Sequence, residues 1–196
     1  MKNNKIIETT LIHEFWCCKR EYLIFISSVK LLNSTNSKKE FKIIAFTSYG
    51  NFLRHLYVFY EGIIQIHNKN LIKPANEKQG EQISLLLTEE VRKLIRNKKY
   101  ALQEYSQLNI EEIIFPQESE VSQEFGTYLR QIRNRFSHIN TKRIHDKEIS
   151  LADFYKLYHK YVLLLFESAA FTWEIEAIDK YDWLEIENFM EYADSK

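Results

Sequence analysis

The stretch Val121-Ser122-Gln123-Glu124-Phe125-Gly126-Thr127-Tyr128-Leu129-Arg130-Gln131-Ile132-Arg133-Asn134-Arg135-Phe136-Ser137-His138-Ile139 decides how the rest of the chain is read. Its residues Phe125, Tyr128, Leu129, Ile132, Phe136 and Ile139 recur in steps of three and four, the spacing that gathers side chains on one face of an α-helix. Arg130, Arg133, Asn134 and His138 fall off that stripe. The spacing therefore predicts a helix over residues 121–139 that buries an apolar face and leaves a polar one free.

The same period extends outward. Leu11, Phe15, Tyr22, Ile26, Val29 and Leu32 predict a helix over residues 11–32 after a Thr10 cap. Ser37 and Glu40 make a capping-box pattern, and Phe41, Ile44, Ala45, Phe52, Leu56, Phe59 and Ile63 carry a second long helix to His67. Gly50 and Gly62 inside that run mark close helix approaches. Residues 68–80, with Pro74 and Gly80, read as a loop, and helical period returns over residues 82–106 with a break near Thr88. Residues 110–119 form another connection. Ser150 and Asp153 open a helix through about Ala177, and residues 181–192 form a shorter terminal one. That terminal region carries eight acidic residues between Glu174 and Asp194 against Lys180, and it reads as an amphipathic acidic helix.

Composition agrees with this pattern. Only four Gly and two Pro punctuate 196 residues, too few for the turns of a many-stranded fold. A hydrophobic fraction of 45%, with thirteen Phe and twelve Tyr, supplies a core without disulfides or metals. The expectation is an all-α, up-and-down bundle of five to six helices, one domain over residues 1–196. Twenty-seven basic residues balance twenty-seven acidic ones, which excludes a globally basic nucleic-acid binder but not a local basic surface. The adjacent Cys17 and Cys18 point about 100° apart on a helix and read as reduced, partly buried thiols. No apolar signal core occurs over residues 1–10, and the longest apolar run, residues 161–166, is too short for a membrane span. A cytoplasmic protein with no membrane partner is expected.

Arg133-Asn134-Arg135-Phe136-Ser137-His138 resembles the Arg-Asn-x-x-x-His motif of HEPN (higher eukaryotes and prokaryotes nucleotide-binding) proteins, and it falls on the penultimate long helix, as in that family. The second helix, from Ala45-Phe46-Thr47-Ser48-Tyr49 through Phe59-Tyr60-Glu61, is similar as well, although its pattern equally suits core packing. The resemblance implies a HEPN-like bundle and metal-independent RNA cleavage, in which the ribose 2′-hydroxyl attacks the adjacent phosphorus to leave a cyclic phosphate and a 5′-hydroxyl. It implies an endoribonuclease of the toxin or phage-defence type, working as a homodimer without a cofactor and paired in many relatives with an antitoxin protein. Some of those toxins carry a Tyr two residues after the motif His as the target of a nucleotidyltransferase; here that position is Asn140. A second reading is a catalytically silent module of the same family that binds a nucleotide or a partner protein.

The residue types suit the chemistry. Imidazole has the ordinary pKa nearest neutrality, which makes His138 the candidate general base or acid. Arg133 offers a permanently charged planar fork to a phosphoryl group that gains negative charge. Asn134 lies four residues before His138, about 40° around a helix, and can orient the imidazole or the RNA. Arg133 and His138 are five apart, about 140° around, so a twofold dimer placing Arg133 of one chain near His138 of the other makes the better site. Arg130, Arg135, Lys142 and Arg143 are the candidate RNA-binding residues beside it. The cluster Arg92, Lys93, Arg96, Lys98 and Lys99 reads more readily as a solvated helix face. His13, His55, His67, His145 and His159 lack the spacing of a metal site, and Gly50, Gly62, Gly80 and Gly126 do not make a phosphate loop.

Overall fold

The structure is a computed structural model, and it describes residues 2–34, 39–68, 77–105, 116–137, 148–172 and 183–194. Six α-helices carry these residues: α1 Lys2–Ser34, α2 Lys39–His67, α3 Glu77–Tyr105, α4 Phe125–Ser137, α5 Leu151–Thr172 and α6 Leu184–Asp194. A single 3-10 turn, Glu118–Glu120, precedes α4, and no strand occurs among the described residues. The chain is thus an all-α bundle. Helix α1 lies along most of α2, α4 packs on α2 and α3, and α5 closes against α3 with lesser contacts to α2 and α4.

Helix α2 is the hub because its apolar residues run round more than one face: Tyr49, Phe52, Leu53, Leu56, Tyr57, Phe59 and Tyr60 are all buried. A helix apolar on several sides is stable only when other helices cover those sides. Phe59 meets Phe15 of α1 edge-on at 5.3 Å, and Phe15 stacks on Phe166 of α5 at 5.3 Å. Phe125 of α4 faces Phe154, Tyr158 and Tyr161 of α5. Each such pair adds about 0.5–1.5 kcal/mol beyond the area it buries.

Helix ends differ from the sequence expectation in informative ways. Helix α1 begins at Lys2 instead of Leu11, and α3 begins at Glu77, inside the stretch expected as loop. Thr88 does not break α3. Its hydroxyl donates to Ser84 O at 3.0 Å and accepts from Gly126 N at 3.1 Å, so it caps the start of α4 from outside. Such a cap supplies one of the acceptors that the first turn of a helix lacks. Helix α4 accordingly starts at Phe125, not Val121. Ser150 caps α5 as expected: Asp153 N donates to Ser150 Oγ at 3.0 Å, and that hydroxyl donates to Asp153 Oδ2 at 2.6 Å. Residues 138–139 and 173–177, expected as helix, lie outside the described residues. Helix α6 runs to Asp194, and Trp183 just before it packs on His13 of α1 at 6.2 Å.

Gly50 and Gly62 sit at close approaches, as their sequence positions suggest: a Cβ on Gly50 would enter the Phe136 ring, and one on Gly62 would meet Leu11 Cδ2. Cys17 and Cys18 are free thiols, the second buried with its Sγ 3.7 Å from Phe52 O. Burial pushes both thiols up, Cys18 strongly. No described helix is long and apolar enough to cross a membrane.

Candidate functional site around Arg133

Helix α4 runs antiparallel to α2, with Phe136 against Phe46 and Gly50 and Arg133 against Tyr57 and Glu61. Phe125, Leu129 and Ile132 anchor its apolar face in the core. Arg133 is therefore carried on a rigid element at the edge of the bundle. Its guanidinium lies over the Tyr57 ring, 4.9 Å from the centroid, and its Nη2 donates to Glu61 Oε2 at 2.6 Å. Nη1 donates to Asn134 Oδ1 at 2.9 Å. Cation–π contact, a charged hydrogen bond and an amide thus hold one guanidinium from three sides.

The environment is semi-enclosed: the Arg133 side chain keeps a quarter of its surface exposed and Glu61 about a seventh. Burial first, and then the Glu61 charge, push the Tyr57 phenol up to about 12, while Arg133, Arg130 and Ser84 pull the other way. Tyr57 is a neutral platform at any physiological pH. Nη1 and Nη2 each carry two N–H groups and use one in these bonds, so the guanidinium retains donor capacity.

The expected site residues separate into three groups. Arg133 and Asn134 are together, hydrogen-bonded side by side, with Asn134 exposed. Arg130, one turn earlier, lies along Gly80 of α3 and donates to Glu77 Oε1 at 2.7 Å. Arg135 is placed elsewhere: it is 5% exposed, and its Nη1 donates to the Ile149 carbonyl at 2.6 Å. Two residues turn a helix by about 200°, so Arg133 and Arg135 cannot share one face. His138, Lys142 and Arg143 lie outside the described residues, as do His145 and Lys147.

Four of the five residues of the second basic cluster are ion-paired with acidic neighbours. Arg92 pairs with Glu89, Lys93 with Glu90, Arg96 with Glu118 and Lys98 with Glu167. His159 belongs to another surface, sharing a hydrogen bond with the Tyr49 hydroxyl at 3.0 Å and stacking on Tyr155 at 4.3 Å. Burial lowers its pKa. His55 is buried between Arg54 and Glu14: Arg54 Nη2 donates to His55 Nε2 at 2.7 Å, which places the ring proton on Nδ1, 2.6 Å from Glu14 Oε1. Among the described residues, no group of three His, Cys, Asp or Glu converges as a metal site requires.

Glu61 and Tyr57 are the partners that the motif did not reveal. Both lie on α2, one turn apart, and only the packing of α4 against α2 brings them to Arg133. In comparisons with protein-family models, curated proteins and solved structures, nothing matches this chain.

Proposed function

We propose that this chain is a HEPN-like, metal-independent endoribonuclease of the toxin or phage-defence type, acting as a cytoplasmic homodimer on an RNA substrate. The observation that carries the proposal is the fixed Arg133 guanidinium, stacked on Tyr57 and keyed to Glu61 and Asn134, on a helix face whose sequence continues into His138. A planar cation held in one orientation suits a phosphoryl group that gains charge as the 2′-hydroxyl attacks. In the proposed step the 2′-oxygen bonds to phosphorus, the bond to the 5′-oxygen breaks, and His138 takes or returns the proton. Asn134 orients the imidazole or the RNA, and Arg130 with Lys142 and Arg143 attracts the backbone.

The second copy is assigned to the tip of the α1–α2 hairpin. Leu23, Ile24, Leu31, Ile43 and Ile44 are exposed there, Leu23 and Ile43 to 56% each. Exposed aliphatic side chains gathered in this way suit the apolar part of a standard dimer face of roughly 800 Å² per chain. Phe136 packs on Phe46, so Ile43, one turn earlier on α2, lies just past the last turn of α4. A twofold at this tip draws the two motif-bearing helix ends together.

The Arg133–Glu61 pair also favours a second reading, because a guanidinium already neutralised suits a catalytically silent module that binds a nucleotide or a protein such as an antitoxin. The deciding experiment is cleavage of total cellular RNA by purified protein in excess chelator, beside Arg133→Ala and His138→Ala. Motif-dependent cuts ending in cyclic phosphate support the enzyme. No cutting by folded, dimeric protein moves the conclusion to the silent module.

A further inference from the structure

A groove of about 520 Å³ runs between the first turns of α1 and the last turns of α2. Its floor is aliphatic, made by Ile7, Leu11, Val58 and Ile66, with Gly62 letting the Leu11 side chain close the bottom. Its charged lining is acidic: Glu8, Glu14 and Glu61 border it beside the neutral Thr10 and Gln65, and among the described residues no Lys, Arg or His does. Two of the carboxylates are held in place from behind, Glu14 by His55 at 2.6 Å and Glu61 by Arg133 at 2.6 Å. They are oriented before any ligand arrives.

That volume is in the range of small-molecule sites, which are mostly apolar with a few placed polar groups. An anionic ligand is repelled by this border, and a neutral apolar one leaves unused the acceptor capacity that a carboxylate keeps beyond a single hydrogen bond. The complementary shape is an aliphatic chain with ammonium groups near both ends. Glu8 and Glu14 are six residues apart on one helix, so about 9 Å separates them along its axis, the reach of an extended diamine of about six to eight carbons. We propose that this groove binds a linear aliphatic diamine or polyamine cation, with methylenes on Leu11, Val58 and Ile66 and ammonium groups on Glu8, Glu14 and Glu61. The proposal stands independently of the ribonuclease reading.

Because Glu61 faces both the groove and Arg133, the ligand and the arginine compete for one carboxylate, and such competition is reciprocal. Removing the Arg133 charge therefore strengthens ligand binding. Spermidine and diaminooctane, titrated by calorimetry into the folded protein, are the probes, with octanol as the uncharged control. The expected result is saturable binding of one diamine per chain, absent for octanol. Affinity falls tenfold or more in Glu8→Gln and in Ile66→Lys, which sets a rival ammonium at the groove mouth, and rises about three- to tenfold in Arg133→Gln. Thermal unfolding checks that each variant is folded. Absence of binding by the wild type, equal binding of octanol, or an affinity unchanged in both Glu8→Gln and Ile66→Lys overturns the proposal.

Discussion

Gly126 of α4 rests against the backbone carbonyl of Ser84 on α3 so closely that a side-chain methyl has no place to go. Backbone cannot step aside as a side chain can, and the adjacent Gly126 N–H is itself held by Thr88. Three of the four close-approach glycines can therefore be ranked by what opposes them. Gly126→Ala meets backbone, Gly50→Ala meets the Phe136 ring, and Gly62→Ala meets only the far end of Leu11. Overpacking costs about 1–3 kcal/mol. Thermal unfolding should order the three losses as Gly126→Ala, then Gly50→Ala, then Gly62→Ala, which costs under about 1 kcal/mol. A Gly62→Ala loss as large as that of Gly126→Ala contradicts the packing described.

Arg135→Ala should act on stability and leave RNA binding alone. The change strands the buried Ile149 carbonyl, at a cost of about 1–3 kcal/mol. In a chain of this size that is a fall in Tm of roughly 2–10 °C. The salt dependence of RNA affinity should keep its slope. A slope reduced by about one phosphate contact, with Tm unchanged, assigns Arg135 to RNA instead.

Glu61→Gln keeps the shape of the acceptor and removes its charge, so Arg133 is left to attract phosphate. RNA affinity should rise and its salt dependence steepen by about one contact. Arg133→Ala should do the reverse and, on the ribonuclease reading, lower cleavage about a hundredfold or more. Filter binding over a salt series and cleavage rates read both effects. Identical salt slopes for wild type and Glu61→Gln disprove the coupling.

Stability should fall at both ends of the pH scale for identified reasons. His159 resists protonation in the fold, so the unfolded chain binds more protons below about pH 6.5, and stability drops as pH falls through that value. Tyr57, up to about 12, and Tyr49, pushed further still by burial, stay protonated where an unfolded phenol ionises. Stability therefore drops again as pH rises above about 10. Denaturant unfolding of His159→Phe should show a flatter profile between about pH 5 and 7 than the wild type. An unchanged acid limb removes His159 as its source.

Ile43→Glu on the hairpin tip should convert the proposed dimer to monomer without loss of helix content, because Ile43 is exposed within a chain and buries nothing in its core. Sedimentation gives the mass and circular dichroism the helicity. A wild type that is monomeric at micromolar concentration, and active, removes the composite site.

The period-three-and-four spacing carried most of the helices, since burial on one face leaves a mark in sequence that no loop imitates. Glycines at 50 and 62 were readable as contacts for the same reason: a helix interior keeps Gly only where something presses on it. The start of α1 was missed because Lys2 to Thr10 has too few apolar residues to show a period, and Thr88 was misread because its cap lies on a neighbouring helix. In the candidate site, Arg133 and Asn134 announced themselves through adjacency. Glu61 and Tyr57 did not, since they lie more than seventy residues upstream and meet Arg133 through tertiary packing alone. The opposite facing of Arg133 and Arg135 was implicit in helix geometry, although counting positive charges along the chain concealed it.

Arg135 and the Ser150–Asp153 cap have one further consequence. The first ties the body of α4 to the carbonyl of Ile149, and the second fixes the entry of α5 by purely local bonds. The two helices are thus stapled together directly, on either side of residues 138–147. Loss of the Arg135 bond therefore frees α4 from the approach to α5, whereas loss of the Ser150–Asp153 bonds frays the entry of α5 alone.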